Sequence, residues 1–198
     1  MPEIDFWYEF ASTYSYLAAM RAEPMARAAG VGLRWRPFLL GPIFAAQGWN
    51  NSPFNIYPAK GRYMWRDMER LCAERGLAFR RHDPFPQNTL LAARFAWAVP
   101  DDRRADFSRS VYLAEFAEGR DISDARLLAS LLSELGLPAD ALLARAKSDE
   151  VKTRLRAETE AAQVAGVFGA PAFVTADGEL FWGDDRLEQA LGWARGKD

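Results

Sequence analysis

The chain has 198 residues, 49% of them apolar, and a formal net charge of −2, enough for one large domain or a small core domain carrying an insertion. Arginines interleave with acids, as in "DDRRADFSR" and "RAETEAAQ", which reads as solvated helix faces and argues against a nucleic-acid partner. One cysteine, Cys72, and one histidine, His82, exclude an intramolecular disulfide, a Cys-rich metal site and a His-rich zinc site.

The opening "MPEIDFWYEF" lacks the basic segment followed by an apolar run that marks a signal peptide. No stretch nears about 18 apolar residues without charge. A cytoplasmic protein with no membrane contact is expected. Ile4–Phe10 alternates and is rich in aromatics, which fits a strand. From Tyr14, Leu17, Met20, Pro24 and Ala28 recur at helical spacing, with Pro24 expected to kink or divide the helix and Gly30 to stop it. Val31, Leu33 and Trp35 alternate in a second strand, so the start is a βαβ unit, which prefers parallel strands. Residues 41–57 are rich in Gly, Pro and Asn and read as a loop long enough to be functional. Pro58 suits the first turn of the next helix, whose stripe is Met64, Met68, Leu71 and Cys72. Helical patterns continue to about residue 165, with Leu127, Leu128, Leu131, Leu132 and Leu135 on one face and a more polar, surface-lying stretch at Asp149–Ala165.

The end changes character. Two apolar runs, 171–175 and 179–182, flank Ala176-Asp177-Gly178, a hairpin signal. A last helix begins near Asp184, with Asp185 and Glu188 at capping-box spacing. The order β-α-β, helical block, β-β-α is that of an α/β thioredoxin-like fold with a helical insertion. Its domains are residues 1–57 with 166–198, and 58–165 as the insertion.

Ser12 stands at the first strand–helix join, with Ser15 three residues on, where a redox protein of this layout would hold Cys-x-x-Cys. Its plain reading is a helix N-cap. The same geometry offers unpaired N–H donors and partial positive charge to an anion, and so stabilises a thiolate that a second molecule brings. Pro171, after Gly169-Ala170, is an ordinary strand-edge proline on the motif alone, or else a cis proline that exposes the Ala170 backbone to a peptide ligand. Asp184 and Asp185 read first as capping residues, then as carboxylates for a cationic amino group. Asn50, Asn51 and Lys60 are turn residues and an exposed lysine when taken singly. His82 is expected at the surface, Cys72 as a buried small hydrophobe, and Trp7, Trp35, Trp65 and Trp182 in the core.

Taken in order, "IDFWYEFASTYSYLAA", "WRPFLLGPIFAAQG", "NNSPFNIYPAKGRYMWRDMERL", "GVFGAPAFV" and "FWGDDRLEQAL" resemble the 2-hydroxychromene-2-carboxylate isomerase family, within the group of DsbA-type oxidoreductases and kappa-class glutathione transferases. The resemblance implies a thioredoxin-like domain with a helical insertion (a DsbA-like, kappa-class arrangement), glutathione as cofactor, and a homodimer. It implies that Ser12 contacts the glutathione sulfur and acts in catalysis, and that Ala170, before a cis Pro171, pairs with the cysteinyl part. It implies that Asp185, with Asp184 beside it, holds the γ-glutamyl end, and that Asn50 (or Asn51) and Lys60 complete the site. The implied reaction is glutathione-dependent isomerisation of an unsaturated oxo acid by reversible thiolate addition. A kappa-like transferase and a non-catalytic glutathione binder are the alternatives. Three departures leave the glutathione half of the match intact and the aromatic-substrate half weaker. Thr13 follows Ser12 where the family has proline, Ala11 replaces the common Ser or Leu, and Ala45 stands where many isomerases carry lysine.

Overall fold

In the computed structural model, which describes residues 1–196, four strands form one sheet in the order β2-β1-β3-β4. β1 (Glu3–Tyr8) and β2 (Gly32–Pro37) run parallel, joined by α1 (Thr13–Ala29). β3 (Ala172–Thr175) and β4 (Leu180–Trp182) form the hairpin expected around Asp177-Gly178, and β3 lies antiparallel to β1. β1 is therefore interior to the sheet. Its residues 4–8 are all buried, which one covered face would not produce. Ile4, Phe6 and Tyr8 enter the larger core, while Trp7 joins a second one with Phe38, Ala172 and Val174.

α1 is one continuous helix through Pro24, so the proline does not divide it, and it ends at Gly30, whose φ of 67° is the left-handed stop. Residues 41–57 are not the plain loop expected. They lie largely in two short helices, α2 (Leu40–Ala46) and α3 (Pro53–Ile56). Ser52 caps α3, accepting from the Phe54 N–H, and Pro53 takes its first position. The helical block is α4 (Pro58–Glu74), α5 (Leu90–Ala98), α6 (Arg104–Tyr112), α7 (Ala125–Glu134), α8 (Ala139–Ala146) and α9 (Asp149–Val164). A π-helical turn, Leu113–Ala117, extends α6. α9 is not merely a surface helix. It buries Val151, Leu155 and Ala162, and Ala162 packs in the core with Trp7. The larger core draws on α1, β1, β3 and every helix of the block from α4 to α9.

The last helix, α10 (Leu187–Ala194), is preceded by a 3-10 turn at Asp184–Arg186. The capping box expected of Asp185 and Glu188 does not form: Asp185 pairs with Arg186, and Glu188 with Arg21 across on α1. Among the described residues no helix is long and apolar enough to cross a membrane.

Candidate active site

β1 ends at Tyr8, and residues 9–12 turn the chain into α1. Ser12 is the N-cap, with extended backbone (φ −83°, ψ 113°), and its Oγ accepts from the Ser15 N–H at 3.2 Å. The same hydroxyl donates to the Ala170 carbonyl at 2.9 Å. One side chain thus ties the head of α1 to the segment that enters β3. The Ala170–Pro171 bond is cis, which the motif alone did not favour.

This junction opens on a cavity of about 1480 Å³. Ser12, Asn50, Lys60, Ala170, Pro171, Asp184 and Asp185 all line it, so the fold gathers every proposed site residue around one space. They differ in freedom. Asp184 is 4% exposed and held by Arg21 at 2.9 Å and Arg75 at 2.6 Å. Its first task is structural, locking α1, α4 and the turn before α10. Asp185 is exposed and, among the described residues, pairs with Arg186 at 2.9 Å. Asn51 is a turn residue, its Oδ1 accepting from Ser52 N at 2.7 Å and Asn55 Nδ2 at 3.1 Å. Asn50 is exposed at the cavity wall. Lys60, in the first turn of α4, sets its ammonium 5.1 Å from the Tyr57 ring centroid.

Several wall residues had no signal in the sequence. Phe168 and Trp182 meet at the mouth as a tilted ring pair, centroids 4.9 Å apart and planes 57° apart, and both are exposed. Trp182 therefore leaves the core to which it was assigned. It also explains Gly169, where a Cβ would stand 2.5 Å from the Trp182 indole nitrogen. Tyr14 donates to Asp67 at 3.0 Å, and burial with this carboxylate pushes its phenol pKa up. Glu9 lies on the cavity floor at 7% exposure. One of its carboxylate oxygens accepts from the Ala11 N–H at 2.9 Å and the other from the Thr89 hydroxyl. Burial pushes its pKa up to about 7, the bonds from Thr89 and Ala11 holding it back.

The other singled-out residues stay outside. His82 is half-buried rather than exposed, its Nδ1 3.1 Å from the Pro84 carbonyl. Cys72 is buried as expected, and burial pushes its thiol up to about 11.

A serine in place of cysteine at a helix N-terminus, bonded to the residue before a cis proline that leads a strand, at the wall of a wide cavity, is a thioredoxin site without its dithiol. Residues 3–192 match the DSBA-like thioredoxin domain model. The chain belongs to the DsbA-like thioredoxin family. Within it, the chain is 31% identical to the 2-hydroxychromene-2-carboxylate isomerase of Sphingobium xenophagum, over 93% of this chain and 94% of that protein. Glutathione S-transferase kappa 1 of Homo sapiens is 27% identical, over 93% and 87% of the two chains. A solved 2-hydroxychromene-2-carboxylate isomerase superposes with a TM-score of 0.84 at 27% identity, covering 96% of this chain and 95% of its own. The relatives thus span isomerases and glutathione transferases on one fold. The sequence resemblance is borne out at the level of family and architecture.

Proposed function

We propose that this protein is a glutathione-dependent isomerase, acting on a carbon–carbon double bond conjugated to a carbonyl. The observation that carries the reading is Ser12: a hydroxyl at the N-terminus of α1, bonded to the Ala170 carbonyl, on the wall of a cavity with no cysteine. The relatives' names supply the isomerase and transferase classes.

The donor set fits a tripeptide thiol carrying both charges. Lys60 and the α1 N-terminus suit its anionic groups, Asp185 suits its ammonium, and the Ala170 backbone suits its peptide. When bound, glutathione would supply a thiolate able to add reversibly to an activated double bond and so permit rotation about it. The chain's own part is electrostatic. The helix N-terminus favours negative charge in front of Ser12. The Ser12 hydroxyl, by exchanging the Ala170 carbonyl for the anion, adds a hydrogen bond made only to the charged form. Lys60 and Asn50 orient an oxygen of the substrate. The aromatic rim of Phe168 and Trp182 offers an apolar surface to that half of the substrate.

An activated cis enone incubated with protein and glutathione distinguishes the classes. An isomerase returns the trans enone with glutathione unconsumed. A transferase accumulates a stable adduct by mass spectrometry. A binder does neither yet retains glutathione. The homodimer implied by the resemblance belongs to the same reading and is checked by light scattering.

A further inference from the structure

Beneath the Ser12 turn lies a second carboxylate that the proposed chemistry leaves unused. Glu115, in the π-helical turn after α6, is 0% exposed, and neither of its carboxyl oxygens has a hydrogen-bond partner among the described residues. It is close enough to Glu9 for the two charges to act on each other. Among the described residues, no Lys, Arg or His side chain pairs with either. Two buried carboxylates without a cation do not both ionise at neutral pH. Glu115 has no stabilising donor, and burial holds it well above the ordinary carboxylate range, with Glu9 and Asp121 adding to the effect. Glu9 has Thr89 and Ala11 as donors, so it is the member of the pair that can release its proton. The other groups facing this pair are the phenol of Tyr112, which donates to the Glu9 carbonyl at 2.9 Å, and behind it Tyr8, bonded to Ser108 at 2.7 Å with Arg104 acting on it. Both phenols are raised by burial and stay protonated.

Glu9 also belongs to the turn that presents Ser12. Its carbonyl accepts from the Ser12 N–H at 3.0 Å, and its carboxylate accepts from Ala11 next to Ser12. Glu9 and Thr89, the donor on its carboxyl, both line the cavity that Ser12 lines.

We propose that Glu9 is the proton donor and acceptor of this cavity. Its carboxyl gives a proton to the carbonyl oxygen of the unsaturated substrate as negative charge develops there, and takes it back as the charge leaves. One O–H bond breaks at Glu9 as one forms on the substrate. The return transfer reverses both, and nothing is oxidised or reduced. The proposal rests on the functional reading above, and it adds that the neutral carboxylic acid is the working form.

The test uses the whole protein, carbon-13 NMR of its side-chain carboxyls, and glutathione with cis-benzylideneacetone as the probe. In the free protein the signal that Glu9→Gln removes should titrate near 7. At saturating glutathione, kcat should fall as pH rises past the same value. Glu9→Gln should abolish that fall and lower kcat on the order of a hundredfold, with glutathione Kd by calorimetry unchanged. Thr89→Val provides the control if Glu9→Gln does not fold. Removing the hydroxyl that stabilises the carboxylate should move the NMR titration and the alkaline limb of kcat upward together. A limb that stays in place while the carboxyl titration moves overturns the proposal. A Glu9 signal in the ordinary carboxylate range also overturns it, as does a Glu9→Gln variant with the parent's profile. Absence of glutathione binding by the parent overturns the functional reading, and this proposal with it. Intact binding with an unaltered profile overturns this proposal alone.

Discussion

Glu9 makes a prediction about stability that needs no ligand. An acid whose pKa is raised by folding holds its proton more tightly in the native state. Its contribution is fully present below the unfolded value and is lost as pH rises through the folded one. Here the two values are 4.5 and about 7. In that window the native state keeps the Glu9 proton that the unfolded chain has released, so stability falls as pH rises. At about 1.4 kcal/mol for each pH unit, the gap amounts to about 3 kcal/mol. Glutamine is neutral at every pH, so Glu9→Gln should escape this loss. Urea unfolding of parent and variant at a series of pH values gives the difference directly, provided the slopes of the two curves agree. The parent should lose about 3 kcal/mol relative to Glu9→Gln across the window, and the two should run parallel above it. Curves that run parallel throughout would refute the argument, because they would mean that Glu9 is solvated or paired in the native state.

Three further outcomes follow from the site. Ser12→Ala removes the cap on the Ser15 N–H and the bond to the Ala170 carbonyl. At about 1 kcal/mol each, it should cost about 2 kcal/mol, read as a thermal shift of roughly 4–8 °C. Arg75→Ala takes away one of the two guanidinium groups on buried Asp184 and should cost about 1–3 kcal/mol, less in a background that already lacks Asp184, as a double-mutant cycle would measure. Cys72 should resist a thiol reagent at neutral pH in the native protein and react at once in urea, because its buried thiol is pushed up to about 11. Rapid native reaction would place it in an open pocket.

The parts of this fold that the sequence announced are those set by local chemistry. A serine between a strand and a helix is a cap because the first turn has free N–H groups, and Ser12 is one. Asp177-Gly178 turns a hairpin because glycine accepts a φ of 85°. The parts that stayed hidden depend on neighbours distant in the chain. Residues 41–57 looked like loop because their Gly, Pro and Asn outvote a short periodicity. Yet Pro53 and Pro58 sit at first helical positions, where proline is at home. A strand of three residues carries too little alternation to show that Trp182 faces the cavity while Phe181 faces the core. Nothing in the sequence singles out Glu9 or Glu115. Only the packing of α6 and its π turn against the Ser12 turn buries both. The seven site residues were gathered from segments far apart, and the structure sorts them by what already holds each one. Asp184 is locked by two arginines, while Asp185 at the mouth remains exposed.

The most direct measurement for the central claim is a calorimetric titration of glutathione into the purified protein, alongside Ser12→Ala, with ultraviolet detection of the bound thiolate. The account predicts saturable binding by the parent, a thiolate pKa below that of free glutathione, and a higher thiolate pKa in Ser12→Ala. No binding at millimolar glutathione, or an identical thiolate pKa in both proteins, would contradict it. Ser12 would then be a helix cap and nothing more.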